Sequence, residues 1–350
     1  MKLTYKYRIK DRNSKKQLAL WADKVNLVWN YCRETARKAW RRNRRTLSGY
    51  DLSNLTSGSS KELKLPAQTI QAIGEQLSRS AKQHRKIPKF RSYKKNLSWI
   101  PFKATSVRME DDTIHFNGHK IKIWKSRNIT GAIKTGSFTR DCLGRWYVSL
   151  VCDIQDVPKK EIKTKVGIDL GLKDQLTLSD GIKYHRENIT KQYEDLLAKA
   201  LQRKDYNRAR KIHTKIKNIR KDWEHKTTTK IAEQYDHIVI GNIKTKQIGK
   251  INKRLNKSLH DASWFSLKTT LKYKAIKLGG EYKEVSEAYT TQTCHTCGAR
   301  AGPKGTNDLG VRFWECEDCG ITHDRDINAA INILRKAGVG HDPLSGIPLL

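Results

Sequence analysis

The chain has 350 residues, and its 71 Lys and Arg face 35 Asp and Glu, a formal net charge of +36 at pH 7. So large an excess goes beyond solubility and implies a long polyanionic partner bound with counterion release from phosphates, a membrane surface being the weaker alternative. A hydrophobic fraction of 37%, with 9 Trp and 13 Tyr, excludes a disordered basic tail, and no apolar run approaches the length of a spanning helix. The opening residues do not read as a signal peptide, so the expectation is a soluble intracellular protein without a membrane partner.

Residues 3 to 10 alternate, which predicts a strand with Leu3, Tyr5, Tyr7 and Ile9 on one face. Leu18, Leu20, Trp21, Val25, Leu27, Val28 and Trp29 then recur at helical spacing, and the helix runs into a dense cationic stretch containing Arg41, Arg42, Arg44 and Arg45. A charge run is usually a solvated face, but this density fits a phosphate-binding surface better. A second helix is predicted from Ala67 to Gln83. Pro88-Lys89-Phe90-Arg91-Ser92-Tyr93-Lys94-Lys95 mixes cations with aromatics, a composition that stacks bases and holds phosphates, so Lys89, Arg91 and Lys94 join the candidates. Short strands follow to Ile154, among them 113–116, 120–124 and 146–151, with turns at Asn117-Gly118 and near Gly144. The first half, 1–160, therefore reads as a nucleic-acid-recognition region: a small β-barrel with a helical insertion over about 14–84.

The second half, 161–337, opens with the strand 164–169, ending at Asp169. Two hairpin strands (175–178, 182–185), a long helical stretch (192–235, with Ala209, Ile212, Ile216, Ile219 and Trp223 as a stripe), the strand 236–241, a helix around Trp264 to Leu278, the strand 281–285 and a last helix from Asp326 follow. This is the element order of an RNase H-like α/β domain, and 338–350 reads as a flexible tail. The overall class is α+β multidomain. Before the last helix stand Cys294, Cys297, Cys316 and Cys319, two Cys-x-x-Cys pairs each followed by Gly. Four thiolates at this spacing form a tetrahedral zinc ribbon (290–323), structural because no coordination position stays open; disulfides are the alternative, disfavoured in a reducing compartment. Cys32, Cys142 and Cys152 read as small buried hydrophobes.

Two-metal phosphodiester cleavage needs carboxylates from several elements at one point. Asp169 ends an apolar strand, where a carboxylate is costly unless it binds something. Asp324 and Asp326 open the last helix, where either alone could be a cap.

Val166-Gly167-Ile168-Asp169-Leu170-Gly171, Tyr289 to Gly298, and Trp314 to Gly320 continuing through His323-Asp324-Arg325-Asp326-Ile327-Asn328 resemble the OrfB/TnpB family of insertion-sequence proteins, relatives of compact type V CRISPR effectors. The resemblance spans nearly the whole chain. It implies a RuvC-type Asp-Glu-Asp site with Asp169 and Asp326 as outer members, holding two catalytic Mg2+ ions. It further implies RNA-guided cleavage of double-stranded DNA beside a short adjacent motif, a guide RNA from the transposon end, an element-encoded transposase as further partner, and a prokaryotic, nucleoid-associated location. The chain departs from the family at one point: the middle motif's Glu falls on Gly241 of Ile238-Val239-Ile240-Gly241-Asn242. Either the site has lost a ligand and the protein is a nuclease-inactive, repressor-like binder, or another strand supplies the carboxylate. The next strand, if parallel and adjacent, ends beside Gly241 and carries Glu287 roughly one strand spacing, about 4.8 Å, to the side. The expected site is therefore Asp169, Glu287 and Asp326. An RNA-independent transposase is the remaining alternative.

Overall fold

The computed structural model describes residues 1–92, 98–243, 261–304, 308 and 310–338, and divides into two units, Met1–Asp156 and Val157–Leu350. The mixed α/β character expected from the sequence is present. Among the described residues no helix is long and apolar enough to cross a membrane.

In the first unit, β1 (Lys2–Ile9) leads into four helices, α1 (Arg12–Asn43), α2 (Gly49–Leu55), α3 (Ser59–Leu63) and α4 (Ala67–His84). Six strands follow: β2 (Trp99–Lys103), β3 (Val107–Glu110), β4 (Thr113–Phe116), β5 (His119–Trp124), β6 (Ala132–Arg140) and β7 (Trp146–Asp153). They form one antiparallel sheet in the order β2-β6-β7-β1-β5-β4-β3. The end strands β2 and β3 are joined by one 3-10 turn (Ala104–Ser106), so among the described residues the expected barrel is a curled sheet without a hydrogen-bonded closure. Tyr5, Tyr7 and Ile9 are buried on one face of β1, as the alternation predicts, and pack with Leu18, Trp21, Val25, Val28 and Trp29 of α1.

Two leucines depart from the predicted stripe. Leu20 and Leu27 are exposed, because residues seven apart share a helix face and this one lies opposite Leu18, Val25 and Cys32. Cys142 is also exposed, on the turn before β7, unlike buried Cys32 and Cys152.

The second unit begins with β8 (Lys165–Asp169), β9 (Asp174–Leu178) and β10 (Lys183–His185), followed by α5 (Ile189–Gln192), α6 (Glu194–Gln202) and α7 (Tyr206–Gln234). Then come β11 (His237–Gly241), α8 (Trp264–Lys277), β12 (Glu281–Val285), the hairpin β13 (Phe313–Glu315) and β14 (Thr322–Asp324), and α9 (Arg325–Lys336). The five-stranded sheet has the order β10-β9-β8-β11-β12, with β8, β11 and β12 parallel. On α7 the buried positions shift from the predicted stripe toward its C-terminal half, where Thr227, Thr228, Ile231 and Ala232 join Ala209 and Ile216.

The seating of α9 on β8 fixes what matters for the site. A Cβ on Gly167 would lie closer to the Ala330 carbonyl oxygen than any real Cβ approaches, and would also press on Leu334. The missing side chain lets helix and strand touch backbone to side chain, while Ser179 Oγ accepts the Gly167 amide at 3.0 Å. Gly167→Ala is accordingly expected to destabilise the second unit by about 1–3 kcal/mol through forced separation of α9 from β8, read as a lowered denaturant midpoint; an unchanged midpoint would refute the close-packing account.

Candidate functional site

Because β8, β11 and β12 are parallel, their C-terminal ends share one edge of the sheet, and that edge gathers the acidic residues. Asp169 is the last residue of β8, and Asp326 lies in the first turn of α9. Glu287 follows the end of β12, whose Val285 is in register with Gly241 of β11. The Glu287 side chain occupies the space over Gly241: a Cβ there would overlap its Cγ, Cδ and Oε1. Asp236 is at the opposite end of β11, where its carboxylate accepts the amides of Lys163 and Thr164. Glu284 is turned to Lys268 Nζ at 3.0 Å.

The two carboxylates at the α9 start have different tasks. Asp324 is the N-cap, accepting from the amides of Asp326 and Ile327, and pairs with Lys183 at 2.6 Å. Asp326 is left to face Asp169, and on its other side meets Arg312 Nη1 at 3.2 Å.

Burial pushes the Asp169 carboxyl up to about 7, with repulsion from Asp326 adding to it and Arg325 opposing. Burial likewise pushes Glu287 up to about 8, reinforced by Asp169 and relieved in part by Lys268. Glu287 Oε1 is buried with no hydrogen-bond partner among the described residues. A buried carboxylate oxygen without a hydrogen-bond partner among the described residues, next to the Asp169 carboxyl, is a hard oxygen donor of the kind that fits Mg2+. The three carboxylates are more widely spread than the four thiols described next, which alone among the described residues lie mutually within 4.8 Å.

Those thiols belong to Cys294, Cys297, Cys316 and Cys319, and the cluster can hold a metal ion. Gly298 and Gly320 have positive φ and return their amides to the carbonyls of Cys294 and Cys316, closing both turns. Cys294 Sγ also lies 3.0 Å from His323 Nε2. The cysteine spacing alone does not reveal how this module is anchored. Asn328 Oδ1 accepts the His295 amide at 2.9 Å, and Asn328 and Asn332 both donate to the carbonyls of Thr290 and Thr293. Lys336 donates to the carbonyls of Ser286 and Ala288, which flank Glu287. The i, i+4 repeat of Asn on a helix otherwise rich in Ala, Ile and Leu was the available signal.

The basic candidates of the first unit have varied surroundings. Arg41 and Arg42 are exposed in the last turn of α1, Arg44 is its left-handed C-cap with the guanidinium over Trp40, and Arg45 pairs with Asp51 at 3.1 Å. Lys89 is exposed, its carbonyl accepting from Trp29 Nε1. Arg91 is not an open cation: its guanidinium lies 3.9 Å from the Trp29 ring centroid and 4.6 Å from that of Trp99, and burial lowers it to about 10. Lys94 lies outside the described residues.

Residues 149–252 match the family model OrfB_IS605, described as "Probable transposase", and residues 264–333 match "Cas12f1-like, TNB domain". A Streptomyces pristinaespiralis protein named "Putative RNA-guided DNA endonuclease" is 28% identical over 340 residues, 89% of this chain and 83% of its own length. "Putative RNA-guided DNA endonuclease InsQ" of Escherichia coli strain K12 is 29% identical over 313 residues, 80% of this chain and 76% of that protein. Over both segments the chain is similar to the OrfB/TnpB proteins. The fold is similar to that of the solved "mini-RNA-guided endonuclease CRISPR-Cas_phi3", at a TM-score of 0.50 and 10% identity over 99% of this chain and 93% of that one.

The raised carboxyls set a pH dependence with a definite sign. Groups whose folded values exceed their free ones bind extra protons in the fold, so stability without divalent cations falls as pH rises from about 4 toward 8. In Mg2+-free buffer, Asp169→Asn should therefore raise Tm at pH 8 by roughly 5 °C and leave it nearly unchanged at pH 4.5. Added Mg2+ should raise the wild-type Tm at pH 8 far more than at pH 5. Calorimetry showing equal shifts at both pH values would remove the electrostatic account.

Proposed function

We propose that this protein is a transposon-encoded, RNA-guided DNA endonuclease that cuts target DNA beside a short adjacent motif. Its second unit acts as the RNase H-like, RuvC-type nuclease domain, with Asp169, Glu287 and Asp326 as the metal-holding carboxylates. The observation that carries the reading is Glu287: its side chain lies over Gly241, where the family's middle Glu would stand, and its Oε1 is buried with no hydrogen-bond partner among the described residues. The named relatives support RNA guidance and DNA as target. The net charge of +36 supplies the phosphate-binding surface that both polyanions need.

Two Mg2+ ions, when bound, would supply an activated water and charge stabilisation at the leaving oxygen. The chain's own residues prepare for that chemistry. Asp169 and Glu287 must each give up a proton to bind a cation, so apparent affinity rises with pH. Arg312 holds the Asp326 carboxylate from the ribbon side. The Cys294, Cys297, Cys316 and Cys319 cluster holds structural Zn2+, and the first unit recognises guide RNA and target DNA. A separately encoded transposase of the element is a further partner.

Gly241 favours one other reading, a nuclease-inactive RNA-guided binder. The two are separated by co-expressing the protein with its flanking element, recovering the bound RNA, and assaying cleavage of a plasmid library randomised beside the target. Asp169→Ala, Glu287→Ala and Asp326→Ala should each lower cleavage at least ~100-fold and retain RNA. Gly241→Glu combined with Glu287→Ala should regain activity, since the double change vacates the space that the new side chain fills. Normal cleavage by Glu287→Ala would disprove the relocation, and target occupancy without cleavage by the wild type would establish the inactive reading.

Metal content gives a separate check. Purified protein should carry about one zinc per chain. Cys316→Ser should lose it and with it most cleavage, although no carboxylate is touched; full activity in a zinc-free variant would show that the ribbon does not support the site.

A further inference from the structure

The first unit contains a cavity of about 650 Å3 where the C-terminal ends of α1 and α4 come together. This is within the range of small-molecule sites. Its floor is apolar, built from Trp40, Leu47, Leu77 and Ile87, and Trp40 is 42% exposed, which leaves part of the indole open to an occupant. Its rim is cationic, with Lys82, Arg85, Lys86 and Arg45, the last also paired with Asp51 at 3.1 Å, and among the described residues no acidic side chain lines the cavity itself.

The chemistry discriminates among occupants. An apolar segment would gain nothing from the cations, and a bare phosphate nothing from the indole. A nucleotide uses both, stacking its base on the aromatic floor and placing its phosphates on the rim. Helix C-termini present carbonyl oxygens rather than amides, which suits the amino groups of a base and disfavours phosphate on the floor. Both helices end on a left-handed arginine, Arg44 at φ 52° and Arg85 at φ 49°, where glycine would fit without strain. Arg44 already lies over the Trp40 ring, 5.7 Å from its centroid.

We propose that this cavity receives one unstacked nucleobase of an RNA, gripping its flanking phosphates at the rim. RNA is the occupant because its loops and bulges offer splayed bases, whereas duplex DNA keeps its bases stacked. The inference deepens the RNA-binding part of the proposed function and rests on it.

The test uses the full-length protein and an RNA hairpin carrying a single-nucleotide 2-aminopurine bulge, beside the same hairpin with an abasic bulge and its DNA counterpart. Binding to wild type should quench the 2-aminopurine, Trp40→Phe should retain the quench, and Trp40→Ala should abolish it and weaken binding about tenfold. The abasic bulge should lose the same factor. Ala81→Trp, which fills the cavity from α4 with Trp40 in place, should reproduce the loss; a melting curve for each variant confirms that it is folded. Tight RNA binding with no dependence on Trp40, Ala81 or the bulged base would overturn the pocket alone. Equal binding and quenching of the DNA hairpin would overturn its assignment to RNA. Failure of the wild type to bind RNA at all would remove the pocket together with the guided-nuclease reading.

Discussion

The second unit depends on the contact between α9 and β8 at Gly167. One helix there does three things that could have been distributed over separate elements. Its first turn presents Asp326 to Asp169, its middle seats against the strand where Gly167 has no side chain, and its Asn328, Asn332 and Lys336 hold the segment from Ser286 to His295. All three carboxylates are thereby referred to one rigid body. Asp169 is one strand residue from Ile168, which is in register with Ile240 of β11, and Glu287 is gripped through the carbonyls on either side of it. Site geometry is thus set by backbone packing and backbone hydrogen bonds, interactions that tolerate little displacement.

Charge explains why such rigidity is needed. In a chain with a net charge of +36, the nearby cations are largely committed to other acids: Lys183 pairs with Asp324, Arg312 with Asp326, and Lys268 with Glu284. Burial, with repulsion from Asp326 on Asp169 and from Asp169 on Glu287, raises both carboxyls toward neutral pH. A flexible site would relieve that repulsion by letting the side chains separate into solvent. Held in place, they keep the repulsion as a preference for cations.

Short-range pattern made much of this legible. The apolar run ending in Asp169, the cysteine spacing with its glycines, and the strand-helix-strand rhythm after Asp236 are all local, and local signals survive folding unchanged. What escaped was tertiary. The exposure of Leu20 and Leu27 depends on the phase of α1 against the sheet, which hydrophobicity does not encode when two opposite faces are both marked. Arg91 reads as a phosphate contact until Trp29 and Trp99, far apart in sequence, both pack against its guanidinium. Asn328 and Asn332 are polar residues on the buried face of a helix, sensible only once the carbonyls of Thr290 and Thr293 are known to lie opposite. The open β2–β3 junction is set by strand lengths and turn geometry, which period-two patterning leaves undetermined.

Gly241 and Glu287 carry the argument furthest. A strand-borne Glu on β11 would be fixed by the ladder itself, whereas Glu287 lies beyond the last ladder residue of β12 and has no strand partner. Its position must come from elsewhere, and the structure offers Lys336 on one side and the Asn-held ribbon knuckle on the other. Moving a carboxylate from strand to loop therefore transfers its positioning from the sheet to the ribbon and α9. The thiol cluster would be an accessory fold in a protein with Glu at 241; here it supports the residue over that glycine. On the proposed reading, a metal held by the thiols would bear on the chemistry without touching substrate, because the loop it would order carries the one carboxylate that lies outside the sheet.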